Sequence, residues 1–252
     1  MTMHSDIEKE ARRILEAAEA KGIVLRLLGG LAVKLSSPSA SHRALTRKYP
    51  DIDFAGYRKQ GRTIKELFVE LGYEPNQRFN ALHGDKRLLF YDNKNGRQVD
   101  IFLDVFEMCH KFDFKGRLDL VKQTIPIADL LITKLQIVQI NEKDVRDIFC
   151  IVKDHELVGG GSSQGIDVDH IIKLCSEDWG LYKTVTTNLN KLLLFVDDYE
   201  FSSADKALIR GCIRKILDLI EKAPKSTRWK MRATVGEKVR WYELPEEAVR
   251  AA

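Results

Sequence analysis

The stretch Asp51-Ile52-Asp53-Phe54 decides how the N-terminal half of this chain folds. Side chains alternate along a strand, so Ile52 and Phe54 would face a core while the two aspartates share the opposite face. Aspartate is a poor strand residue and is costly to bury without a partner. Two neighbouring carboxylates repel each other, and a divalent cation between them removes that repulsion. The stretch therefore predicts a half-buried strand that carries a cation site.

A glycine pair precedes this strand. The apolar run 23–28 predicts a strand and the run 31–35 predicts a short helix, with Gly29 and Gly30 at the turn between them. Glycines at such a turn let backbone amides approach a phosphate, and the helix N-terminus adds a partial positive charge. A turn of purely structural origin explains the pair equally well when it is taken alone. The order of the motifs, with the two aspartates following, favours a phosphate site.

A third carboxylate is expected from the next two strands. The segments 86–91 and 98–104, joined by the polar turn 92–97, are typical of a hairpin. This hairpin would bring Asp100 beside the first two aspartates, as a ligand or as a base. Asp104 has the same strand parity as Asp100, so the third carboxylate is one or the other. The apolar neighbours on both sides of Asp100 favour Asp100.

These motifs together resemble the active-site signature of the DNA polymerase beta-like nucleotidyltransferase superfamily, and within it most closely the AbiEii-type toxin nucleotidyltransferases. Twenty residues separate Gly30 from Asp51, which is longer than in compact members, and the insert at 36–49 is rich in serine and basic residues. Arg47 lies ahead of the aspartate pair, as in such proteins. The helical segment with Lys134 and the later Asp144 and Asp147 extends the likeness, which covers roughly residues 23–155.

The resemblance implies a metal-dependent enzyme that moves a nucleoside monophosphate from a nucleoside triphosphate (NTP) to an acceptor hydroxyl. A toxin of this kind would have an antitoxin protein as partner, and the basic C-terminal segment described below favours an anionic acceptor such as RNA, for example tRNA. A small-molecule, antibiotic-type acceptor and a non-catalytic nucleotide-binding relative are the alternatives. The implied catalytic and metal-binding residues, for Mg²⁺ or Mn²⁺, are Asp51, Asp53 and Asp100. The implied nucleotide-binding residues are Gly29, Gly30, Lys34, Arg47 and Lys134.

Lys134 also has a simpler explanation. It lies beside the apolar stripe of its helix, where a lysine often extends its amine to solvent. Asp144 and Asp147 are close neighbours on the next helix and would anchor Lys134 or Arg146 in a structural ion pair. Structural roles for the two aspartates are favoured over chemical ones.

The C-terminal segment 222–240 is strongly basic. It holds seven Lys or Arg residues against one acid, Glu237, so it carries +6 while the whole chain carries +4. With Trp229 and Trp241 nearby, it would grip a nucleic-acid backbone and stack on a base. The alternative is a solvated basic extension whose aromatic rings pack onto the helical part of the protein.

Composition sets the fold class. With 252 residues, 44% of them apolar and 31% charged, the chain is expected to be soluble and globular. It has no apolar run of membrane-spanning length and no signal peptide, and its four cysteines have no metal-binding spacing, so we expect free thiols and a cytoplasmic location without membrane contact.

The pattern predicts an α/β (α+β) protein: a mixed nucleotidyltransferase-type sheet with flanking helices at 1–115, then an all-helical domain at 116–252. Further expected elements are a strand at 79–82 and a helix at 128–140.

Overall fold

The computed structural model describes residues 3–244, which form a mixed sheet with flanking helices followed by a helical C-terminal region, as predicted. Its helices are α1 (Ile7–Ala20), α2 (Gly29–Ser36), α3 (Gly61–Glu70), α4 (Gln77–His83), α5 (Ile127–Leu135), α6 (Glu142–Asp154), α7 (Val168–Glu177), α8 (Trp179–Phe195), α9 (Ser203–Lys222) and α10 (Thr227–Val235). Its strands are β1 (Leu25–Leu28), β2 (Ile52–Gly56), β3 (Glu74–Pro75), β4 (Arg87–Asp92), β5 (Arg97–Leu103), β6 (Val105–Glu107), β7 (Lys111–Asp113), β8 (Leu157–Val158) and β9 (Ile166–Asp167).

The central sheet has five strands in the order β1-β2-β5-β4-β3. Strands β2 and β5 are parallel, and the other neighbours are antiparallel. One face is apolar, and Ile52 and Phe54 on it are fully buried, as the alternation predicted. Phe68 of α3 packs on this face, with its ring 6.2 Å from Phe54 and 4.9 Å from Phe90. Covering this face leaves the opposite face of the same strands for the polar residues.

Both edges of the sheet are protected. At the β1 edge, the Leu27 amide donates to the carbonyl of Gln123, and the Ile125 amide donates to the carbonyl of Leu27, each at 2.9 Å. The opposite edge strand, β3, has two residues, and the second of them is Pro75. Proline lacks an amide proton and cannot donate to another strand.

The helical region packs directly onto the sheet region. Helices α5 and α6 both contact α2, and α9 lies against α6. One hydrophobic core extends from Ala11 in α1 to Ile220 in α9. The domain boundary at 115/116 stays a prediction.

Three local expectations were wrong. Residues 79–82 belong to helix α4, because the Asn76 side chain caps its N-terminus by accepting from the Phe79 amide. The helix expected at 128–140 ends at Leu135, and the Asn188 amide group binds the free carbonyls of Leu135 and Ile137. Helix α10 was not expected, since its sequence TRWKMRATV has no continuous apolar stripe and none of its residues is buried.

All four cysteines are free thiols. Burial raises the pKa of Cys150 and of Cys175 to about 12, so these thiols stay protonated and unreactive at neutral pH. None of the helices within residues 3–244 combines the length and apolar character needed to cross a bilayer.

Candidate active site

Two of the predicted carboxylates lie side by side on the polar face of the sheet. In the parallel pairing of β2 with β5, Asp53 is the direct partner of Asp100. On its other side Asp53 pairs with Leu28, the last residue of β1. Asp51 lies just before β2, and its charge also acts on Asp53. The hairpin therefore brings Asp100 to the aspartate pair, as the sequence predicted.

Asp53 is held in an unfavourable electrostatic environment. Burial is the main cause, and the charge of Asp100 adds to it, so the pKa of Asp53 rises to about 7. Asp51 pushes in the same direction, while the cations of Lys134 and Arg87 oppose the shift without cancelling it. Ionisation of Asp53 is therefore unfavourable in this site, and a bound cation would make it favourable.

Asp100, in contrast, is fully engaged by neighbouring side chains. Arg87 of β4 donates to its Oδ1 through Nε at 2.8 Å and Nη2 at 2.7 Å. Gln98 donates to Oδ2 at 2.7 Å. The Arg87 guanidinium itself lies 4.9 Å from the ring of Phe102 and 5.5 Å from the ring of Phe79. Asp100 is thereby fixed in orientation.

The sequence reasoning missed Arg87 and Gln98. The signal that would have found them is the hairpin register, which pairs Leu89 with Asp100 and Arg87 with Phe102. Residues of equal parity on paired strands share a face, so Arg87 lies diagonally beside Asp100.

The glycine turn is pressed against this site. Gly29 has φ +70°, and a Cβ atom built on it would lie 2.1 Å from Asp53 Oδ2. A Cβ on Gly30 would lie 1.7 Å from Nη2 of Arg47. Helix α2 begins at this turn, and Leu28 in the cap position offers no side-chain hydrogen bond. The first amides of a helix attract anions, so the turn presents an anion-binding group beside the carboxylates.

A second charged cluster connects the insert to the helices. Arg47 donates to Asp147 through two parallel bonds of 2.8 and 2.7 Å. The amine of Lys134 lies 2.9 Å from Asp147 and 3.2 Å from Asp144. Burial alone would lower the pKa of Lys134, but the two carboxylates outweigh it and raise the pKa. The ion pair predicted for Lys134 is confirmed, whereas Arg146 pairs with Glu142 instead.

Lys34 and Asp104, the other predicted residues, bind partners outside the carboxylate pair. Lys34 donates to Ser41 Oγ at 2.8 Å and so links α2 to the insert. Asp104 adopts the left-handed conformation, with φ 63°, and its carboxylate accepts from the Arg58 amide at 3.0 Å. Strand parity therefore fails at Asp104, because the strand is interrupted there. The functional roles of all these residues stay predictions.

The carboxylate oxygens are chemically suitable ligands for a divalent cation. Within residues 3–244, no group of three or more acidic, histidine or cysteine residues is arranged to hold a metal. A bound cation would nevertheless stabilise the ionised form of Asp53, and the oxygens of Asp53 and Asp100 are the hard ligands that Mg²⁺ and Mn²⁺ accept. Asp53, Asp100 and Asp51 are the residues that would hold it.

The aromatic residues of the basic segment pack onto the helical region. The ring of Trp229 lies 5.1 Å from that of Tyr182, and Trp241 Nε1 donates to Thr184 Oγ1 at 3.1 Å. Arg232 donates to the carbonyls of Gly236 and Val239, which ties it to its own segment. Five of the basic side chains remain exposed to solvent: Lys222, Arg228, Lys230, Lys238 and Arg240.

No protein-family model matches the chain, and no curated protein matches its sequence. A solved structure with some likeness is the solution structure of the antibiotic-resistance factor ANT(2'')-Ia, described as showing substrate-regulated conformation dynamics. It is 13% identical, the alignment covers 85% of this chain and 94% of that chain, and the TM-score is 0.38. A likeness at this level assigns the chain to no family, AbiEii-type or other.

Proposed function

We propose that this protein is a metal-dependent nucleotidyltransferase that moves a nucleoside monophosphate from an NTP to an acceptor hydroxyl and releases pyrophosphate. The observation that carries the proposal is the pairing of Asp53 with Asp100 on adjacent parallel strands, with the Gly29 turn packed against Asp53. This arrangement combines a carboxylate pair, of which Asp53 is costly to ionise without a cation, with an anion-binding helix start, which is what a metal-bound triphosphate requires.

Each part of the site has a role in this proposal. Bound Mg²⁺ or Mn²⁺ would neutralise the triphosphate and activate it for in-line attack. Asp51 and Asp53 bind the cation, and the backbone at Gly29 and Gly30 binds phosphate oxygens. Asp100, oriented by its arginine and glutamine partners, completes the cation site and positions the acceptor hydroxyl. Pre-positioned charge, with no covalent intermediate, supplies most of the rate.

The roles of Lys134 and Arg47 depend on the ion pairs that they already form. Both cations are paired with carboxylates of α6, so the cluster is internally balanced: Arg47 and Lys134 against Asp144 and Asp147. One oxygen of Asp144 is buried without a hydrogen bond, which leaves this cluster less than fully satisfied. We propose that Lys134 reaches the NTP phosphates from this cluster, while Arg47 supports the glycine turn.

RNA is the proposed acceptor. The exposed basic residues Arg228 and Lys230 on α10, followed by Lys238 and Arg240, give this segment several cationic side chains that a phosphate backbone would contact. Because Trp229 and Trp241 are packed inward, this surface acts through charge and not through base stacking. A toxin role, with an antitoxin protein as partner, belongs to the same proposal.

A small-molecule acceptor is the second candidate. A cavity of about 520 Å³ lies between the insert, α6 and the end of α8, and Glu142, Asp198 and Glu200 line it. Arg43 pairs with Glu200, and Arg146 pairs with Glu142, so Asp198 supplies most of the remaining negative charge. One unbalanced carboxylate suits a singly charged amine better than a polycation, so RNA is favoured.

The activity is tested by incubating the protein with Mg²⁺, each α-labelled NTP in turn, and either total RNA or a small-molecule fraction. We expect label to enter RNA with one NTP, and the Asp53→Asn variant to lose this transfer. Label in the small-molecule fraction alone would transfer the assignment to the second candidate. No labelled product in either fraction, with folded protein, would reject the enzyme.

The metal site is tested separately by thermal unfolding. Mg²⁺ should raise the melting temperature of the wild-type protein at pH 8, where Asp53 is ionised, and much less at pH 5.5, where it is protonated. The Asp53→Asn variant should show little Mg²⁺ effect at either pH. An equal Mg²⁺ effect in wild type and variant would place the cation elsewhere.

The RNA surface is tested by salt dependence. Charge reversal at Arg228, Lys230 and Lys238 should flatten the dependence of RNA affinity on salt, by about 0.7 in log–log slope for each single-strand phosphate that the variant no longer binds. Arg232 is unsuitable for this test because it bonds its own segment. An unchanged slope and acceptor KM would remove this surface from RNA binding.

A further inference from the structure

A cavity lies on the other side of the carboxylate pair from the glycine turn. It has a volume of about 360 Å³, within the range of roughly 300–1,000 Å³ that small-molecule sites occupy. Phe79 and His83 of α4, Arg87 of β4 and Phe102 of β5 line it. None of these residues belongs to the predicted catalytic set, but Arg87 contacts Asp100 directly.

The strand order shows where this cavity lies relative to the carboxylate pair and the glycine turn. Along the sheet, the glycine turn follows β1, the carboxylates lie on β2 and β5, and Arg87 begins β4. The carboxylate pair therefore lies between the phosphate-binding turn and the cavity. In an in-line displacement, the attacking group enters opposite the leaving group. If the turn holds the β- and γ-phosphates, which leave as pyrophosphate, an acceptor that attacks the α-phosphate would approach from the side of the cavity.

Three rings and one planar guanidinium group form part of the cavity wall. The Arg87 guanidinium is flanked by the rings of Phe102 and Phe79, at 4.9 and 5.5 Å. The His83 ring lies 4.8 Å from the Phe79 ring. Phe79 and His83 are only partly buried, so their ring faces are reachable from the cavity. Nucleobases stack on such aromatic and guanidinium surfaces.

The charges of the cavity cancel. Lys86 pairs with Glu107 at 3.0 Å, and Arg87 is neutralised by Asp100. Glu243 adds one further carboxylate at the rim, where its amide donates to the Cys109 carbonyl at 3.0 Å. A nearly neutral cavity with donors and acceptors at its edge suits an uncharged heterocycle better than a phosphate or a polycation.

We propose that this cavity binds a nucleobase of the acceptor and thereby brings the attacking hydroxyl to Asp100. The assignment to the acceptor rests on the proposed function, whereas the binding of a nucleobase rests on the cavity alone. The base has two sources, a free nucleotide or the terminal nucleotide of an RNA strand. Because Arg87 contacts both the cavity and Asp100, an occupied cavity also reinforces the orientation of that carboxylate.

The test uses 2-aminopurine, whose fluorescence is quenched when it stacks on an aromatic ring. Two probes are titrated without NTP or metal: 2-aminopurine riboside 5′-monophosphate, and an RNA trinucleotide with 2-aminopurine at its 3′ end. We expect quenching by the wild-type protein, and at least about fivefold weaker binding by Phe79→Leu, since stacking contributes roughly 1–3 kcal/mol per base. His83→Ala, at the rim, should weaken binding in the same direction. Phe195→Leu, an equally half-buried phenylalanine in the other cavity, is the matched control and should bind normally.

The outcomes separate this proposal from the enzyme assignment. Equal affinities of wild type, Phe79→Leu and His83→Ala for both probes would overturn the nucleobase site, even if NTP turnover is found. Phe79-dependent binding in a protein without turnover would keep the site and reject the nucleotidyltransferase. Preference for the trinucleotide identifies a strand end as the source, and equal binding of both probes identifies the nucleotide itself. Tighter binding by Phe195→Leu than by Phe79→Leu supports the cavity at α4.

Discussion

Strands β2 and β5 each carry an aspartate at paired positions, yet the two side chains differ in their hydrogen-bond partners and in how easily they ionise. Asp100 receives hydrogen bonds from Arg87 and Gln98. Asp53, its direct neighbour, is half-buried, and desolvation together with the charge of Asp100 raises its pKa to about 7. The strand pattern determines where a carboxylate lies, whereas the next strand in the sheet determines whether its charge is compensated. Asp100 is held in one orientation by its partners, whereas Asp53 is the more costly of the two to ionise.

The largest expected effect is on activity. Asp53→Asn should lower nucleotidyl transfer by at least about 10²-fold, because it removes charge from the cation site, and Asp100→Asn should do the same. Initial rates at saturating NTP and Mg²⁺ measure this, with circular dichroism to verify folding. A folded Asp53→Asn protein with wild-type turnover would eliminate the carboxylate pair as the catalytic centre.

The second prediction is that Asp100→Asn and Asp53→Asn change the free energy of unfolding differently. Asp100→Asn should lower the free energy of unfolding by about 1–3 kcal/mol, because Arg87 loses its charged partner. Asp53→Asn should be neutral or stabilising at pH 8, since it removes an unfavourable charge. Urea unfolding of both variants at pH 8 without metal tests the difference. Destabilisation of equal size in both would mean that Asp53 is compensated as well as Asp100.

The third effect concerns the glycine turn. Gly29→Ala should lower stability by about 1–2 kcal/mol through its positive φ alone, with a further loss because the new Cβ collides with Asp53. Gly22→Ala is the matched control, since Gly22 has φ +66° but no atom within 4 Å of a built Cβ. Urea unfolding should rank Gly29→Ala as the more damaging, and only Gly29→Ala should reduce turnover. Equal losses in both variants would show that contact with Asp53 is unimportant.

The fourth effect is a pH dependence. The folded protein holds the Asp53 proton up to about pH 7, whereas an ordinary aspartate releases it near 3.8. The unfolded state therefore binds fewer protons in this window, and the contribution of Asp53 to stability falls as pH rises from about 4 to 7. Relative to wild type, Asp53→Asn should gain stability across this window by at most about 1.4 kcal/mol per pH unit. A constant difference between pH 5 and 8 would contradict the raised pKa.

The smallest effect is expected at Asp104. Asparagine tolerates the left-handed conformation and can still accept from the Arg58 amide, so Asp104→Asn should change turnover less than about twofold. Assayed beside Asp100→Asn, it decides which aspartate is the third carboxylate. A larger loss of turnover at Asp104 than at Asp100 would reverse the assignment.

The sequence predicted the elements that follow from alternation and from turns. Ile52 and Phe54 in the core, and Asp100 beside Asp53, all follow from strand parity and a short polar turn. The sequence reasoning failed where a single side chain controls the backbone. Asn76 caps a helix where a strand was expected, and the left-handed Asp104 interrupts a strand where continuity was assumed.

The electrostatic partners were harder to predict than the elements. Arg87 reaches Asp100 only through the register of the hairpin, which depends on how the turn at 92–97 closes. Asp147, which also pairs with Lys134, binds Arg47 across 100 residues of chain, and no local sequence pattern predicts a contact between residues so far apart. Packing of Trp229 against Tyr182 is equally non-local. Such contacts follow from the assembled fold and not from any one segment.

The protected edges of the sheet have a consequence for how this protein behaves at high concentration. An exposed edge strand is a template on which another chain can add a strand, which is how many sheet proteins aggregate. Here the chain that leads to the helices bonds to Leu27 on one edge, and Pro75 shortens the other. A cut between residues 115 and 123 would expose the first edge to the extent that it releases Gln123 and Ile125 from Leu27. Limited proteolysis there should therefore increase self-association, which light scattering measures.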